Sequence, residues 1–272
     1  AKPGGGVGWL LHNAGHVARV DFPWDTTRAL ELALFRTFAS PRIGGLLHAT
    51  GEFATRPQKR YDDTDLLVSE IIEEGFDSPR GCRAIARMNA LHGRFRIANG
   101  DFLYVLSTFV VEPIRWNERF GWRRMSESEK LAWFWFWRQV GERMQIRDIP
   151  EAYDEFERYG RDYEAANFRY TDSNQRVALA TRELFAGWFP ALLRPLVRRG
   201  IHALLDPSLL TAFDLRPAPR WMVWTANAAL RTRARLLRCL PRRRRVQRRT
   251  QMPRADYPAG YRIESLGPPP FD

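Results

Sequence analysis

Apolar residues recur along the chain at helical spacing, and no segment shows the strict alternation that is typical of several β-strands. Leu30, Leu34 and Phe38, for example, repeat at intervals of four up to Pro41. The same period recurs in the segments 62–75, 79–92, 101–111, 126–144, 151–164, 176–186, 195–205 and 221–240. The pattern therefore predicts an all-α protein with a single globular domain.

Several of these predicted helices carry recognisable start signals. Asp62-Asp63-Thr64 is predicted to cap one helix, and Ser78-Pro79 is predicted to open the next. Ser126 and Glu129 have the spacing of a capping box. Within the helix that begins near residue 101, Pro113 is predicted to cause a kink or a restart, because proline lacks the backbone N–H that a helix needs.

The segment Leu131–Trp137 is apolar on every side. A helix of this kind is buried all round, so we expect it at the centre of the fold. A strand is the alternative, since aromatic residues favour sheets. The capping box before the segment and the continuation from Arg138 to Met144 favour a helix.

Composition divides the chain into three parts. Residues 1–20 begin with a glycine-rich run that lacks the lysine of a phosphate-binding loop, and they are predicted to be a flexible lead-in. Residues 21–219 are predicted to form the helical domain, and residues 220–272 a basic amphipathic helix with a tail that packs on it. Ten tryptophans and 17 phenylalanines exclude a disordered or fibrous protein.

The net charge of +12 is concentrated near the C-terminus. Twelve arginines and no acidic residue lie between Arg220 and Arg254, and the remaining basic residues equal the 31 acidic ones in number. A basic amphipathic helix suits an anionic membrane surface, which Arg231–Arg249 would contact. Nucleic acid is the less favoured partner, because no nucleic-acid-reading motif accompanies the arginines. Docking on an acidic surface of the same protein is the third interpretation.

Other sequence features exclude several classes. Two cysteines without a CxxC motif exclude a disulfide framework, a zinc ribbon and covalent attachment of c-type haem. The longest apolar run, Phe102–Val111, is too short to span a bilayer. We therefore expect a cytoplasmic protein with peripheral membrane association. His12 and His16 have metal-binding spacing but no obvious third ligand, and no Glu-x-x-His tetrad supports a di-iron site.

His92 is one of only five histidines. It shares a helical stripe with Ile85, Met88 and Phe95. A neutral imidazole that faces an apolar interior is what an axial haem ligand requires. The alternative is a core histidine whose ring is satisfied by a backbone carbonyl. Arg87 lies about 140° round the same helix, so it reaches a haem propionate only if extended and is otherwise a surface or salt-bridging residue.

A line of polar residues follows the next predicted helix. Tyr104, Thr108, Glu112 and Arg115 fall at intervals of four, four and three, while the other faces are apolar. If the helix is enclosed, the line must face a cavity, a cofactor or its own partners, because unpaired buried polar groups are costly. Glu112 is then a candidate acid or base whose charge Arg115 sets. An amphipathic helix with a narrow wet face is the alternative.

Several motifs together resemble one family. They are Gln58–Thr64, Ala86–His92, Asp101–Phe109, Glu112–Trp116, Gly121–Arg123, Val140–Met144 and Tyr257–Tyr261. The chain is similar, from about residue 20 to residue 267, to the MpaB-type oxygenases, in the superfamily that contains the rubber oxygenases (latex-clearing proteins). The segment 58–144 is the most specific part of the resemblance.

The resemblance implies an all-α, haem b-dependent oxygenase with a globin-like helical core. Such enzymes cleave carbon–carbon double bonds of isoprenoid chains with dioxygen, so a hydrophobic substrate is expected. It assigns the iron to His92 and makes Arg87, Asp63, Thr64 and Glu112 candidates for the surrounding pocket. Together with the polar line, it leads us to expect cofactor binding by Arg87, Asp63, Thr64, Tyr104 and Thr108, and catalysis by Glu112 and Arg115. The alternative function is a non-catalytic helical protein that docks on anionic membranes or a partner through its arginine-rich segment.

Overall fold

The computed structural model describes residues 6–241 and 245–268, and the regular structure in those ranges is entirely helical. The α-helices are α1 (Gly6–His16), α2 (Pro23–Phe38), α3 (Pro41–Ala49), α4 (Glu52–Thr55), α5 (Pro57–Glu74), α6 (Pro79–His92), α7 (Asn99–Phe120), α8 (Glu127–Arg143), α9 (Tyr153–Asn167), α10 (Asp172–Gly187), α11 (Arg194–His202), α12 (Pro207–Ala212) and α13 (Arg220–Cys239). A π-helix covers Val17–Asp21, and short 3-10 helices cover Ala191–Leu193, Arg249–Gln251 and Ile263–Ser265. The prediction of an all-α protein is confirmed.

Helices α7 and α8 form the centre of the molecule. Helix α7 packs along α2 on one side and contacts α8 and α9 on others. In α8 residues 132–137 are buried, which confirms the prediction of a central helix rather than a strand. Leu131, the first residue of the predicted buried run, is 40% exposed. The capping box is present, with the Ser126 hydroxyl and the Glu129 carboxylate each accepting from the other residue's backbone N–H.

Helix α7 runs through Pro113 without a break, so the prediction of a restart there is wrong. Pro113 cannot donate to the carbonyl of Phe109, four residues earlier. The indole Nε1 of Trp133, on α8, donates to that carbonyl at 3.0 Å instead. A tertiary contact thus replaces the missing helical hydrogen bond.

The N-terminal segment differs from the predicted flexible lead-in. Residues 6–16 form helix α1, which packs on α8 with Leu10 and Ala14 buried. The π-helix that follows buries Val17. These apolar positions give the segment a side that packs on the core. The prediction of a flexible segment rested on the glycine-rich start alone and did not take them into account. Residues 1–5 lie outside the described ranges.

Helix α5 begins five residues before the predicted cap at Asp62-Asp63-Thr64. Pro57 occupies its first turn, where a missing N–H costs nothing. Asp62 and Asp63 are consequently buried in the middle of the helix, where they accept from other side chains instead of capping it. The next start signal is confirmed, because the Ser78 hydroxyl accepts from the backbone N–H of Gly81 at 2.9 Å.

Residues 245–268, which we call the C-terminal strap, run across α5 and α6. Arg249 binds Asp65 at 2.8 Å, and its backbone N–H donates to Glu73. The Tyr261 hydroxyl donates to Glu70 at 2.6 Å. Earlier in the basic segment, Arg233 of α13 binds Asp25 of α2. Part of the C-terminal charge is therefore neutralised inside the protein, while Arg242, Arg243 and Arg244 lie outside the described residues.

Candidate functional site

His92 is the last residue of α6, and its ring meets the ring of Phe102 edge to face at 5.3 Å. Its Nδ1 is buried and has no hydrogen-bond partner among the described residues. Burial and the positive charge of Arg60 lower the pKa of His92 to about 4. The imidazole is therefore neutral at physiological pH and able to act as a metal ligand.

His202 is buried and is held differently. Its Nδ1 lies 2.9 Å from the carbonyl oxygen of Arg216, and burial lowers its pKa too. That arrangement is the satisfied core histidine which was the alternative interpretation of His92. This interpretation requires a backbone carbonyl next to the ring. His202 has such a carbonyl, whereas Nδ1 of His92 has none among the described residues.

Arg60, on α5, brings a positive charge close to His92. Its Nη1 donates to the Thr64 hydroxyl, and its guanidinium lies 5.5 Å from the centre of the Phe53 ring. Burial lowers the pKa of Arg60. In the described part of the chain no carboxylate comes within 4 Å of its guanidinium, although Asp63 and Glu52 act on it from farther away. This arginine thus keeps a charge that an anionic ligand group could neutralise.

Thr64 also lines a cavity between α2, α5 and α7. The cavity is partly open to solvent. Its walls are mostly apolar and include Leu30, Leu34, Val68, Ile72 and Phe109. A mostly apolar lining with a few polar groups is typical of small-molecule sites. The cavity and His92 are joined through the Arg60–Thr64 contact.

The polar end of this cavity is formed by Glu31, Tyr61, Asp65 and Arg249. The Tyr61 hydroxyl donates to Glu31 at 2.7 Å, and burial raises the pKa of the Glu31 carboxyl. Arg249 belongs to the C-terminal strap, which therefore forms part of the cavity rim. The rim is thus closed by ionic contacts rather than by apolar packing.

The polar line of α7 faces its own partners, the third of the predicted environments. Its central partner is Arg36 of α2, which is 4% exposed. Arg36 binds Glu112 at 3.4 Å and Glu164 of α9 at 2.7 Å, and it also contacts Asp206. Three carboxylates around one buried guanidinium join α2, α7, α9 and the start of α12.

Each residue of the polar line is engaged in this region. Tyr104 donates to Glu164 at 3.0 Å, Thr108 donates to the carbonyl of Val105 at 2.7 Å, and Arg115 contacts both Glu112 and Glu157. Burial raises the pKa of Glu112, while Arg36 and Arg115 oppose the rise. These contacts are those of a structural ion network.

Helix α7 therefore separates two sets of the predicted site residues. Phe102 and Phe109, which face His92 and the cavity, lie about 100° round the helix from the centre of the polar line. The structure thus links His92 to Thr64 through Arg60. It places Tyr104, Thr108, Glu112 and Arg115 on another side, against α2 and α9.

The two remaining candidates contact the C-terminal strap. Arg87 donates from Nε to the carbonyl of Leu266 at 2.7 Å. Asp63 binds Lys59 at 2.8 Å and accepts from the Tyr257 hydroxyl. Asp63 also acts on Arg60 electrostatically. Both residues hold the strap against α5 and α6, the two helices that carry Arg60 and His92.

The non-haem metal alternatives gain no support from the described residues, which contain no group of three or more histidine, cysteine or acidic side chains placed to hold an ion. The rings of His12 and His16 stack on each other at 5.9 Å. Glu70 is paired with Arg80, and Glu73 accepts from Thr250. The carboxylates of α5 therefore serve as partners for basic and hydroxyl groups.

Two important residues were missed in the sequence. Arg36 sits in the apolar run 32–38, and a lone arginine in such a run is a signal for a buried ion pair. Arg60 lies within the motif Gln58–Thr64, which was used for the resemblance without assigning this arginine a role. Its neighbour four residues later, Thr64, was identified.

The comparison with known proteins identifies the family. The family model described as "ER-bound oxygenase mpaB/B'/Rubber oxygenase, catalytic domain" matches residues 25–239. The chain belongs to this family. The matched range of the MpaB/rubber oxygenase domain contains His92, the cavity helices and the Arg36 network, and it ends before the C-terminal strap.

Two fungal members of the MpaB/rubber oxygenase family illustrate the similarity. The chain is 30% identical to the ER-bound oxygenase mpaB' of Penicillium brevicompactum over 244 residues, which are 82% of this chain and 57% of that protein. It is 33% identical to the ER-bound oxygenase mpaB of the same organism over 168 residues, which are 55% of this chain and 43% of that protein. The chain spans about half the length of the curated relatives it matches.

Proposed function

We propose that the protein is a haem b-dependent oxygenase that uses dioxygen on a hydrophobic substrate. The observation that carries this proposal is His92, whose Nδ1 is buried without a hydrogen-bond partner among the described residues. Its pKa of about 4 keeps the ring neutral. Membership of a family of oxygenase catalytic domains supports the reaction class.

The residues around His92 fit a haem. The imidazole is a suitable axial ligand for the iron, and Arg60 has an unneutralised charge for a carboxylate such as a propionate. The rings of Phe102 and Phe53 flank these two side chains and give the site apolar surfaces. A haem held here would supply the iron at which dioxygen is activated.

The protein's own contribution is binding, orientation and exclusion of water. The cavity lined by Leu30, Leu34, Val68 and Phe109 would receive the apolar chain of the substrate next to Thr64 and Arg60. The relatives in the family description include rubber oxygenases, which favours an isoprenoid alkene with carbonyl products. Glu112 and Arg115 enter this proposal as positioning residues, since they hold α7 through Arg36 and Glu157.

The proposal includes a cytoplasmic protein associated with a membrane surface. Hydrophobic substrates of this class dissolve in membranes, and the fungal relatives are described as ER-bound. Within the described residues, no helix combines the length and the apolar character needed to cross a bilayer. The proposed contact is a peripheral one, made through the basic C-terminal segment.

A haemin titration of the full chain tests the haem proposal. We expect wild-type protein to take up one haemin per chain with a Soret band. His92→Ala should lose the band while its far-UV circular dichroism is unchanged. His202→Ala is the matched control, because His202 is buried but has a carbonyl partner, and it should retain the band. A colourless wild type, or equal loss in the two variants, would refute the proposal.

The oxygenase step is tested separately with haem-loaded protein. We expect dioxygen consumption and carbonyl products with a short polyisoprene, and neither with the saturated analogue. The alternative function, a non-catalytic protein that docks through its arginine-rich segment, predicts a different pair of results. Such a protein would take up no haemin and would still bind anionic vesicles in a salt-sensitive manner.

A further inference from the structure

A set of large apolar side chains is exposed on one region of the molecule. Leu192, in the 3-10 helix before α11, is 90% exposed, and Leu196 of α11 is 54% exposed. On α13, Trp221 and Trp224 are 60% and 72% exposed, and Leu236 is 63% exposed. Large apolar patches on a protein surface are typical of interaction sites.

Helices α11 and α13 are neighbours in the fold. Ala203, just after α11, packs with Met222 of α13 in one small apolar cluster. The inner side of α13 is buried by this cluster and by contacts with α7, including Leu230 beside Trp116 and Phe120. The exposed residues are thus the side of each helix left over after packing.

The outer side of α13 combines aromatic and basic residues. On a helical wheel Trp221, Trp224 and Leu236 lie within about 120° of one another. Arg231 and Arg235 lie on the same side and are exposed. Tryptophan and leucine interleaved with arginine are typical of helices that lie in the headgroup region of a bilayer.

Most charged residues of this region are basic. Residues 187–240 contain nine arginines and only two acidic residues, Asp206 and Asp214. Asp206 is bound to Arg36 on the inner side. A surface of this charge favours an anionic partner, and each basic residue near such a membrane strengthens binding by about fivefold.

We propose that the exposed sides of α11 and α13, which we call the basic apolar face, insert into the surface of an anionic lipid bilayer. Trp221, Trp224, Leu192 and Leu196 enter the headgroup region, and Arg231 and Arg235 contact lipid phosphates. This inference rests on the proposed function for the purpose of the contact, which brings the cavity to the phase that dissolves its substrate.

The lipid surface is favoured over a second copy of the chain by charge. A symmetric dimer through this face would bring Arg231 and Arg235 of one copy against the same residues of the other, with no acid on the face to neutralise them. The arginines that the sequence analysis placed in the membrane contact also divide into two groups. Arg233 and Arg249 bind Asp25 and Asp65, so they belong to the fold.

Vesicle flotation of the full chain tests the aromatic part of the face. We expect binding to phosphatidylcholine vesicles with 30% phosphatidylglycerol, and roughly tenfold or more weaker binding by Trp221→Ser/Trp224→Ser. The matched control Leu131→Ser/Tyr170→Ser changes two exposed side chains on other elements and should bind as wild type. Circular dichroism checks that each variant is folded. Wild-type binding by the tryptophan variant would overturn the proposal.

The two free cysteines provide a second measurement that needs no change to the face's aromatic residues. Cys239 is exposed at the end of α13, and Cys82 is exposed on α6. An environment-sensitive fluorophore on Cys239, in a Cys82→Ser background, should shift to the blue when these vesicles are added. The same label on Cys82, in a Cys239→Ser background, should not shift. Equal shifts, or none at Cys239, would contradict the proposed orientation.

The remaining outcomes are also decisive. Sedimentation without lipid should give a monomer, and a dimer that Trp221→Ser/Trp224→Ser dissociates would replace the lipid surface with a second copy. The Soret band is recorded for the same samples. Haem-loaded protein that binds no vesicles would overturn this inference alone, whereas vesicle binding by protein that takes up no haemin would overturn the proposed function alone.

Discussion

At the scale of single residues, His202, which is buried, and His92, whose Nδ1 is buried, differ in the partners of their rings. His202 and His92 both have a lowered pKa, because burial disfavours the charged ring. The Arg216 carbonyl satisfies Nδ1 of His202, whereas Nδ1 of His92 has no such partner among the described residues. An unpartnered buried polar atom costs free energy, so its presence favours a ligand that repays the cost.

The lowered pKa of His92 predicts a pH dependence of the haem-free protein's stability. Below pH 6.5 the unfolded chain binds a proton at this histidine, and the folded chain does not until about pH 4. Stability should therefore fall across that window by roughly 2–3 kcal/mol from this group. Urea unfolding at pH 7.5 and pH 4.5 should show a smaller loss for His92→Leu than for wild type. Equal losses would show that the ring is not shielded.

The shielded position of the His92 ring could be predicted from the sequence, because an apolar stripe on one helix determines its surroundings. Arg60 and Arg36 could not be assigned a role in the same way. The role of each arginine depends on which carboxylates lie near it in the folded protein. Glu164, which binds Arg36, is 128 residues away from it along the chain. The spacing of apolar residues along a helix indicates which side chains are buried. It does not indicate which residues pair with a buried charge.

At the scale of helices, the Arg36 network fixes α2 against α7 and α9. Arg36→Ala would leave Glu112, Glu164 and Asp206 without their common cation. We expect a loss of about 3–5 kcal/mol in the free energy of unfolding, since removing one partner strands buried charge. Arg198→Ala is the control, because it breaks the pair with Glu183 in which both side chains are exposed, and it should cost about 1 kcal/mol or less. Similar losses for the two variants would argue against a structural role of the network.

Helix α7 offers a second test at this scale. Trp133→Phe removes the donor to the Phe109 carbonyl, and Pro113→Ala supplies a backbone N–H to the same carbonyl. The two changes should therefore compensate, with a coupling of about 1 kcal/mol in a double-mutant cycle of chemical denaturation. Additive effects would mean that the indole contact does not replace the helical hydrogen bond.

The helix boundaries show why such contacts escape a sequence pattern. The capping box at Ser126 and the cap at Ser78 were predicted correctly, because both partners lie within three residues. The continuity of α7 was missed, because the donor that satisfies the Phe109 carbonyl comes from another helix. The start of α5 was predicted wrongly at Asp62-Asp63-Thr64. Acidic residues and threonine are common helix caps, and the sequence does not show that Asp63 is buried against the distant Tyr257.

At the scale of the whole molecule, the C-terminal strap links the basic segment to the cavity. Arg249 contacts Asp65 and Glu73 of α5 and lies on the cavity rim. The sequence located the charge surplus correctly. It could not show that Arg233, Arg248, Arg249 and Arg254 bind the protein's own acids, because the acids are distributed over α2 and α5.

This arrangement predicts that the strap can be released by one substitution. Arg249→Ala should leave Asp65 with fewer partners and increase trypsin cleavage within residues 245–262, at about 1–3 kcal/mol lower local stability. Arg248→Ala, whose partner Glu74 is partly exposed, is the matched control and should change cleavage little beyond the loss of its own site. Equal cleavage patterns at the remaining sites would show that Arg249 does not hold the strap.

The central claim is that His92 holds a haem iron through its imidazole. The most direct test is chemical rescue of His92→Gly, in which free imidazole can occupy the space of the missing ring. We predict that this variant shows an altered or weakened Soret band when haemin is added, and that millimolar imidazole restores the wild-type spectrum. A His92→Gly protein that shows the wild-type Soret band without imidazole would contradict the claim.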